Sequence, residues 1–246
     1  MMMNRMMLLL CLACAVSPAR ALVFLTEDNP PFNYVENERV DGLATALVTE
    51  MAKRASLPAT FELVPWEDGY LRAQRDRETC LYATARMESR EKLFNWIGPL
   101  AVNRWGVFGK SDFPGTARRV EDLRKFRIGG VTNDAKLEYL AQYAVTNIRS
   151  VPDDRRNPPR LKLPKDDPDR IDLWITGAYT ARKVSRENGG PALKTVYLAQ
   201  EIPLYVACSP ATSRSSVKLL EDALKAMRRD GTAKKITDRY LRKFAQ

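Results

Sequence analysis

The sequence predicts an α/β protein in which strands alternate with helices. Apolar runs of strand length recur between segments whose apolar residues follow a helical period. Strands in such β-α-β units run parallel and are joined by right-handed crossovers. The composition, 45% hydrophobic and 28% charged over 246 residues, is that of a folded globular chain and not of a disordered one.

A first β-α-β unit begins at residue 22. The apolar run over residues 22–25 predicts a strand, and residues 43–55 predict a helix because Leu43, Leu47 and Met51 fall on one face. The unit continues with a strand over 61–64, a short helix over 70–75 and a strand over 80–84.

A second unit begins near residue 111, after a break in the pattern. Asn133 and Asp134 offer capping side chains ahead of a helix predicted over 135–143. Residues 153–169 are crowded with Arg, Asp, Lys and Pro and predict a solvated loop. The other predicted elements are a short helix over 120–126, strands over 127–131, 171–175 and 204–208, a helix over 178–186, a helix capped by Ser215 or Ser216 that ends at Asp230-Gly231, and a basic helix that closes the chain.

The N-terminal segment, residues 1–21, predicts a cleavable secretory signal and therefore export to the periplasm. It has Arg5, then the uncharged apolar run from Met6 to Val16, and small residues that end at Ala21. The run is shorter than the ~20 residues that span a bilayer. A lipoprotein anchored through Cys14 is the alternative. Cleavage removes Arg5 and Arg20 and no acid, which lowers the formal charge from +10 to +8.

The chain contains no histidine. This excludes Ser-His-Asp triads, Cys-His pairs and imidazole metal sites, and neither a metal nor a cofactor is expected. Its basic stretches, such as Arg118-Arg119 and Lys234-Lys235, are expected to be solvated helix faces and not a nucleic-acid surface, because the protein is predicted to be exported.

Two cysteines, Cys80 and Cys208, remain after residue 21. In an exported protein two such thiols more often pair than stay free. The alternative is two buried apolar thiols.

Several short motifs occur in a fixed order along the chain. They are Glu27-Asp28-Asn29-Pro30-Pro31-Phe32 before Gly42, Trp66 ahead of an Arg-rich turn, Arg86-Met87-Glu88-Ser89-Arg90, Asn95-Trp96-Ile97-Gly98-Pro99-Leu100, and Asp230-Gly231 before a helix that ends near Tyr240. In this order and spacing, over nearly the whole chain after residue 21, the sequence resembles the periplasmic solute-binding proteins of the polar amino acid type, extracellular solute-binding protein family 3.

The resemblance implies a two-lobed periplasmic-binding-protein-like fold of type II, in which each lobe is a mixed sheet flanked by helices and two hinge strands join the lobes. Residues 22–109 and 203–246 would form the first lobe and residues 110–202 the second, and closure would bury a ligand between them. The strand with Cys208 would lie near the strand with Cys80, so a disulfide is expected. The implied function is a monomeric receptor that delivers a small polar or anionic, amino-acid-like solute to an inner-membrane ABC permease.

The resemblance also implies ligand-binding residues in the first lobe. Trp66, placed at the end of a strand, matches the aromatic ring that stacks on the ligand, with core packing as the alternative. Arg90 matches the arginine that clamps a ligand carboxylate, with a surface ion pair as the alternative. Arg86, four residues earlier, is a further candidate, and Phe32 lies in the loop that folds over the site or in the core.

Asn133 and Asp134 match the segment where the second lobe offers a helix N-terminus to the ligand. Asp134 could equally be a plain cap. Family members that bind α-amino acids place an acid five residues beyond the position of Asp172, where this chain has Gly177. The usual ammonium anchor is therefore missing, and Asp134 and Glu27 are the candidates to replace it.

Two further functions are compatible with the resemblance, although no enzymatic activity is expected. An enzyme on the same scaffold, similar to the periplasmic cyclohexadienyl dehydratases, would need a cleft carboxyl such as Glu27 or Asp134 with a raised pKa. A ligand-sensing protein would report occupancy to a membrane receptor.

Overall fold

The structure is a computed structural model that describes residues 21–244. Its strands are β1 (Leu22–Thr26), β2 (Tyr34–Glu36), β3 (Arg39–Asp41), β4 (Ala59–Leu63), β5 (Thr79–Ala85), β6 (Asn95–Lys110), β7 (Ile128–Val131), β8 (Ile148–Val151), β9 (Leu173–Gly177) and β10 (Leu193–Cys208). Its α-helices are α1 (Leu43–Arg54), α2 (Trp66–Arg75), α3 (Ala135–Gln142), α4 (Asn157–Arg160), α5 (Ala178–Glu187), α6 (Arg214–Arg229) and α7 (Thr232–Phe244), with 3₁₀ helices at Glu88–Leu93, Val120–Lys125 and Asp154–Arg156.

Eight of the strands form one mixed sheet in the order β4-β1-β5-β10-β6-β9-β7-β8. β1 pairs in parallel with β4 and β5, and β7 pairs in parallel with β8 and β9. The pairs in the middle of the sheet are antiparallel. β2 and β3 form a separate hairpin. The predicted α/β class and its parallel β-α-β units are confirmed.

The two longest strands, β6 and β10, run antiparallel through both halves of the sheet. On β6, Ile97 and Leu100 pack in a core with α1 and α6, whereas Trp105 and Val107 pack in a second core with α3. β10 runs back through both halves in the opposite direction, and α6 and α7, which follow it, pack against α1. The molecule therefore has the predicted two-lobed arrangement, in which helices flank both halves of the sheet and two long strands join them. The lobe bounds given above stay predictions.

Helix α1 shows why the hydrophobic pattern was informative. Leu43, Leu47 and Met51, which the pattern placed on one face, are all at most 1% exposed. Burial of each such side chain contributes roughly 1.5–3 kcal/mol. The helical period therefore identified the face that packs on the sheet.

Several predicted boundaries were wrong. Trp66 is the first residue of α2 and not the end of a strand. The Ser213 side chain, not Ser215 or Ser216, caps α6 by accepting a hydrogen bond from the Ser216 backbone. The interval 153–169 is not simply a solvated loop, because it contains a 3₁₀ helix and α4 and packs Asp154 against β9.

A disulfide joins Cys80 and Cys208, as the resemblance implied. The two cysteines lie opposite each other in the antiparallel pairing of β5 and β10. Both are fully buried in the core formed with α1 and α6.

Cys14 and all of the predicted signal segment except its last residue, Ala21, fall in residues 1–20, outside the described residues. Within residues 21–244, no helix combines the length and the apolar character that crossing a membrane requires.

Candidate functional site

A small cavity lies where β5, β6 and β10 pass between the two cores. Its volume is about 20 Å³, which is space for roughly one water molecule. Charged and aromatic side chains from both halves converge on it. The lining residues that matter for its chemistry are Glu27, Trp66, Arg90, Asn103, Asp134 and Lys136.

Arg90 forms one wall of the cavity and is 4% exposed. Its guanidinium lies 5.2 Å from the ring centroids of both Trp66 and Tyr70, a range at which a cation is attracted to an aromatic face. Arg90 Nη2 donates to the carbonyl oxygen of Asn133 at 3.0 Å. Arg90 Nη1 has no hydrogen-bond partner among residues 21–244. A buried donor of this kind is costly unless a partner satisfies it.

Asn133 connects the two halves of the molecule. Its carbonyl also accepts from Trp66 Nε1 at 3.1 Å, and its side-chain amide donates to Glu67 at 2.8 Å. The backbone of Asn133 is left-handed, with a φ of 59°, a conformation that asparagine tolerates better than most residues. The turn before α3 thus directs the Asn133 carbonyl at Trp66 and Arg90.

Asp134 caps α3 and binds Lys136. One carboxylate oxygen accepts from the Lys136 backbone at 2.7 Å and the other from Lys136 Nζ at 2.7 Å. Both residues are 6% exposed. Lys136 Nζ also lies 5.7 Å from the ring centroid of Trp105. The negative charge of Asp134 is therefore matched within the chain, and Lys136, which the sequence did not single out, is part of the site.

Glu27 follows β1 and lines the same cavity. Burial raises the pKa of its carboxyl to about 8, the neighbouring Asp134 adds to the rise, and Lys136 opposes it. The protonated form of Glu27 is therefore favoured over that of an ordinary glutamate.

Asp154 lies behind this cluster. It accepts hydrogen bonds from Trp174 Nε1 at 2.8 Å and Thr176 Oγ1 at 2.6 Å. Burial raises its pKa, which Lys136 opposes. Burial alone would lower the pKa of Lys136, but Asp134 and Asp154 raise it above its ordinary value, so the ammonium stays charged.

Asn103 on β6 is 2% exposed, and its Oδ1 has no hydrogen-bond partner within residues 21–244. A Cβ atom added to Gly177 would lie 2.8 Å from this oxygen and 3.0 Å from Thr180 Oγ1. Asn103 therefore occupies the space into which a side chain at position 177 would project. No local pattern pointed to Asn103, because it lies in β6, a strand that such patterns did not define.

The structure places the remaining predicted residues away from the cavity. Arg86 is exposed and bound to Glu91, and its guanidinium lies 5.7 Å from the ring centroid of Trp96. Phe32 is buried in the core with α1 and packs edge-on against Tyr179. Neither lines the cavity, whereas Glu27, Trp66, Arg90 and Asp134 do, and Asn133 touches two of them.

No metal site is evident in the part of the chain that the structure describes, since no three His, Cys, Asp or Glu side chains group there so that they could hold an ion. The arrangement of the cavity is instead suited to binding an organic ion through charged and polar side chains.

The raised pKa of Glu27 predicts how stability depends on pH. The folded protein retains a proton that the unfolded chain loses near its ordinary pKa of about 4.3, so stability is highest below that pH and falls until the pH passes about 8. The Glu27→Gln variant cannot lose this proton. We expect its melting temperature to fall less than that of the wild type between about pH 5 and about pH 9, because the wild type loses on the order of a few kcal/mol more of its free energy of unfolding over that range. Parallel curves for the two proteins would contradict the assignment.

Comparison with known proteins gives a consistent result. The family model described as "Bacterial extracellular solute-binding proteins, family 3" matches residues 22–243. No curated protein matches the chain in sequence.

Several solved structures share the fold. A histidine kinase sensor domain with similarity to periplasmic binding proteins superposes with a TM-score of 0.80 at 19% identity, covering 90% of this chain and 96% of its own. The substrate-binding protein of an amino acid ABC transporter gives 0.76 at 17% identity, with 91% and 100% covered. The arginine-, lysine-, histidine-binding protein ArtJ from Geobacillus stearothermophilus gives 0.76 at 16% identity, with 92% and 100% covered. At such identities these likenesses establish the fold alone.

Proposed function

Because the chain belongs to the bacterial extracellular solute-binding proteins of family 3, we propose that it is a receptor that captures a small, amino-acid-like solute in the cavity between its halves. The observation that carries this proposal is Arg90. Arg90 lines the cavity, its guanidinium is buried, and its Nη1 has no hydrogen-bond partner among the described residues.

The unpaired nitrogen of Arg90 favours a carboxylate ligand. A charge-assisted hydrogen bond to a carboxylate is roughly twice as strong as a neutral one. No carboxylate of residues 21–244 lies within 4.0 Å of Arg90. Trp66 beside it provides an apolar face against which the rest of a small ligand can pack.

The contacts across the cavity support capture by closure. Besides the bonds of Asn133, Ser89 donates to Glu138 at 2.7 Å and Thr180 donates to Asn29 at 2.8 Å. These hydrogen bonds join the group of strands around β1 to the group around β7. Opening would break them and widen the cavity, and the halves would then close around a solute.

We further propose that the receptor acts in the periplasm after export and delivers its solute unchanged to an inner-membrane ABC permease. Support comes from family membership and from the similarity to a substrate-binding protein of an amino acid ABC transporter. A monomer fits this function.

The proposal predicts a rise in melting temperature when a mixture of the common L-amino acids is added to the purified protein. At a concentration 100 times the dissociation constant, one bound solute stabilises the fold by about 2.7 kcal/mol. Extraction of the natively purified protein followed by mass spectrometry identifies the solute. No stabilisation by amino acids or by small carboxylic acids, together with no retained solute, would contradict the proposal.

Catalysis on the same scaffold is a second candidate, because Glu27 lines the cavity and burial raises the pKa of its carboxyl to about 8. A raised pKa favours the protonated form that a general acid requires. Mass spectrometry after prolonged incubation distinguishes the two functions, because a receptor returns its solute unchanged and an enzyme releases a product.

A further inference from the structure

The last two helices, α6 and α7, carry most of the positive charge of the folded chain. Residues 214–243 contain ten Lys and Arg against four Asp and Glu, which gives this segment a formal charge of +6. The chain after residue 21 has +8 in total, so all of its other residues together contribute only +2. The excess charge of the protein is therefore concentrated on one pair of helices.

On α6 the cations lie on the side that faces away from the core. Leu220, Leu224 and Met227 are buried and pack inward. The cations of this helix follow one another at spacings of three, four or seven residues, which places them together on the opposite side. All of them are exposed, and they are Arg214, Lys218, Lys225, Arg228 and Arg229.

Helix α7 has the same division. Tyr240 is buried and Ile236 packs against the same core as α6. The exposed cations on the other side of α7 are Lys234, Lys235, Arg239 and Arg242. Because α6 and α7 pack against each other and against α1, their outward sides adjoin. We call the surface formed by these nine cations of α6 and α7 the basic face.

Most cations of the basic face have no acidic partner. Lys218 and Lys225 contact Asp222, and Lys234 contacts Asp238. The other six have no carboxylate within 4.0 Å among residues 21–244, and they are Arg214, Arg228, Arg229, Lys235, Arg239 and Arg242. Like charges that are held together repel one another, so the basic face is complementary to an anionic partner.

We propose that the basic face docks the protein on the surface of an anionic phospholipid membrane. The cations do not converge on one point but extend along two helices of 16 and 13 residues, which are about 24 and 20 Å long. Such a spread suits an extended array of negative charges better than one small anion. The family is described as extracellular, and the extended anionic surface available to an exported bacterial protein is a membrane and not a nucleic acid.

Docking through the basic face leaves the cavity between the two halves free. None of the residues that line the cavity belongs to α6 or α7. The docked protein can therefore still capture a solute, and the inference goes beyond the proposed function, because capture itself requires no contact with a membrane. Docking would hold the receptor beside the membrane in which a permease lies.

The test measures co-sedimentation of the purified protein with vesicles of phosphatidylcholine alone and with vesicles that also contain about 30% phosphatidylglycerol. Each Lys or Arg near an anionic surface strengthens binding about fivefold. The protein should therefore bind the anionic vesicles at least about 50-fold more tightly than the neutral ones at about 50 mM salt. This preference should fall at least about tenfold at about 500 mM salt, which screens the charges.

A charge-reversal variant locates the contact. The triple variant Arg229→Glu, Lys235→Glu, Arg242→Glu changes exposed side chains without an acidic partner among residues 21–244. It should bind the anionic vesicles at least about 30-fold more weakly than the wild type. The same three residues changed to Gln should give a smaller loss, of about tenfold or more, and the melting temperatures of both variants check folding.

The matched control is the triple variant Lys165→Glu, Arg182→Glu, Arg186→Glu. It makes the same change in net charge at exposed residues far along the chain from α6 and α7, on α5 and the segment before β9. Its binding to the anionic vesicles should stay within about threefold of the wild type. All of these variants keep the N-terminal segment of the wild type, so any contribution of that segment to vesicle binding is common to them.

Three results would overturn the docking surface. They are equal affinity for neutral and anionic vesicles, an equal loss of binding in the control and test variants, and tighter binding to duplex DNA than to anionic vesicles at the same phosphate concentration. None of them bears on the proposed function, which is judged by the response of the melting temperature to amino acids.

Discussion

Replacing Arg90 with alanine should abolish the binding of any carboxylate solute that the purified protein retains. Truncating one partner of a buried, hydrogen-bonded charge pair typically costs about 2–5 kcal/mol, which corresponds to a loss of affinity of at least about 30-fold. Isothermal titration calorimetry with the solute identified by native extraction measures this loss directly.

Arg86→Ala is the matched control for this experiment. Arg86 lies four residues earlier, is exposed and pairs with Glu91 outside the cavity, so its removal should leave the affinity unchanged. Arg90→Lys keeps the charge but loses the planar fork, and we expect it to bind weakly. Normal binding by Arg90→Ala would show that the carboxylate contacts another part of the molecule.

Removing the disulfide should be the most destabilising change outside the cavity. Cys80 and Cys208 are separated by 128 residues, and closing a loop of this length restricts the unfolded chain by about 4–5 kcal/mol in the chain-entropy account. The double variant Cys80→Ala, Cys208→Ala should therefore melt at a temperature lower by roughly 10–20 °C.

A reducing agent supplies the control for the disulfide. It should lower the melting temperature of the wild type towards that of the double variant and leave the double variant unaffected. Mass spectrometry of the non-reduced protein should show no free thiols at Cys80 and Cys208. Equal melting temperatures for the two proteins would contradict the expected stabilisation.

The sequence was most informative where a local pattern coincides with a buried element. The face of α1 and the parallel units followed from apolar periodicity. The ordered motifs identified Trp66 and Arg90, which the fold brings to one cavity with Asp134 and Glu27. Local patterns did not define β6 and β10 at full length, because glycine, proline and charged residues such as Gly98, Pro99 and Glu201 interrupt their apolar runs.

The features that sequence reasoning missed depend on contacts between distant segments. Lys136 is a charged residue in a helix, which predicts exposure to solvent. Its side chain instead binds Asp134, and the residue is buried. Asp154 lies in a stretch whose charge density indicates solvent, yet Trp174 and Thr176 bind it. Arg86 and Arg90 are both arginines of one motif, and the motif does not show which of them is buried. The 3₁₀ helix Glu88–Leu93 places Arg90 in the interior, whereas Arg86 stays exposed.

The contact made by the Asn133 carbonyl has a consequence for affinity. A cavity of about 20 Å³ does not admit an amino acid. A solute must therefore bind a wider conformation in which the hydrogen bonds from Trp66 and Arg90 to the Asn133 carbonyl are broken. The measured dissociation constant is then the intrinsic constant divided by the fraction of molecules in that conformation. Every tenfold reduction in that fraction weakens capture tenfold without changing any contact to the solute. For the proposed receptor, substitutions in the turn that presents the Asn133 carbonyl would therefore change the sensitivity without changing Trp66 or Arg90.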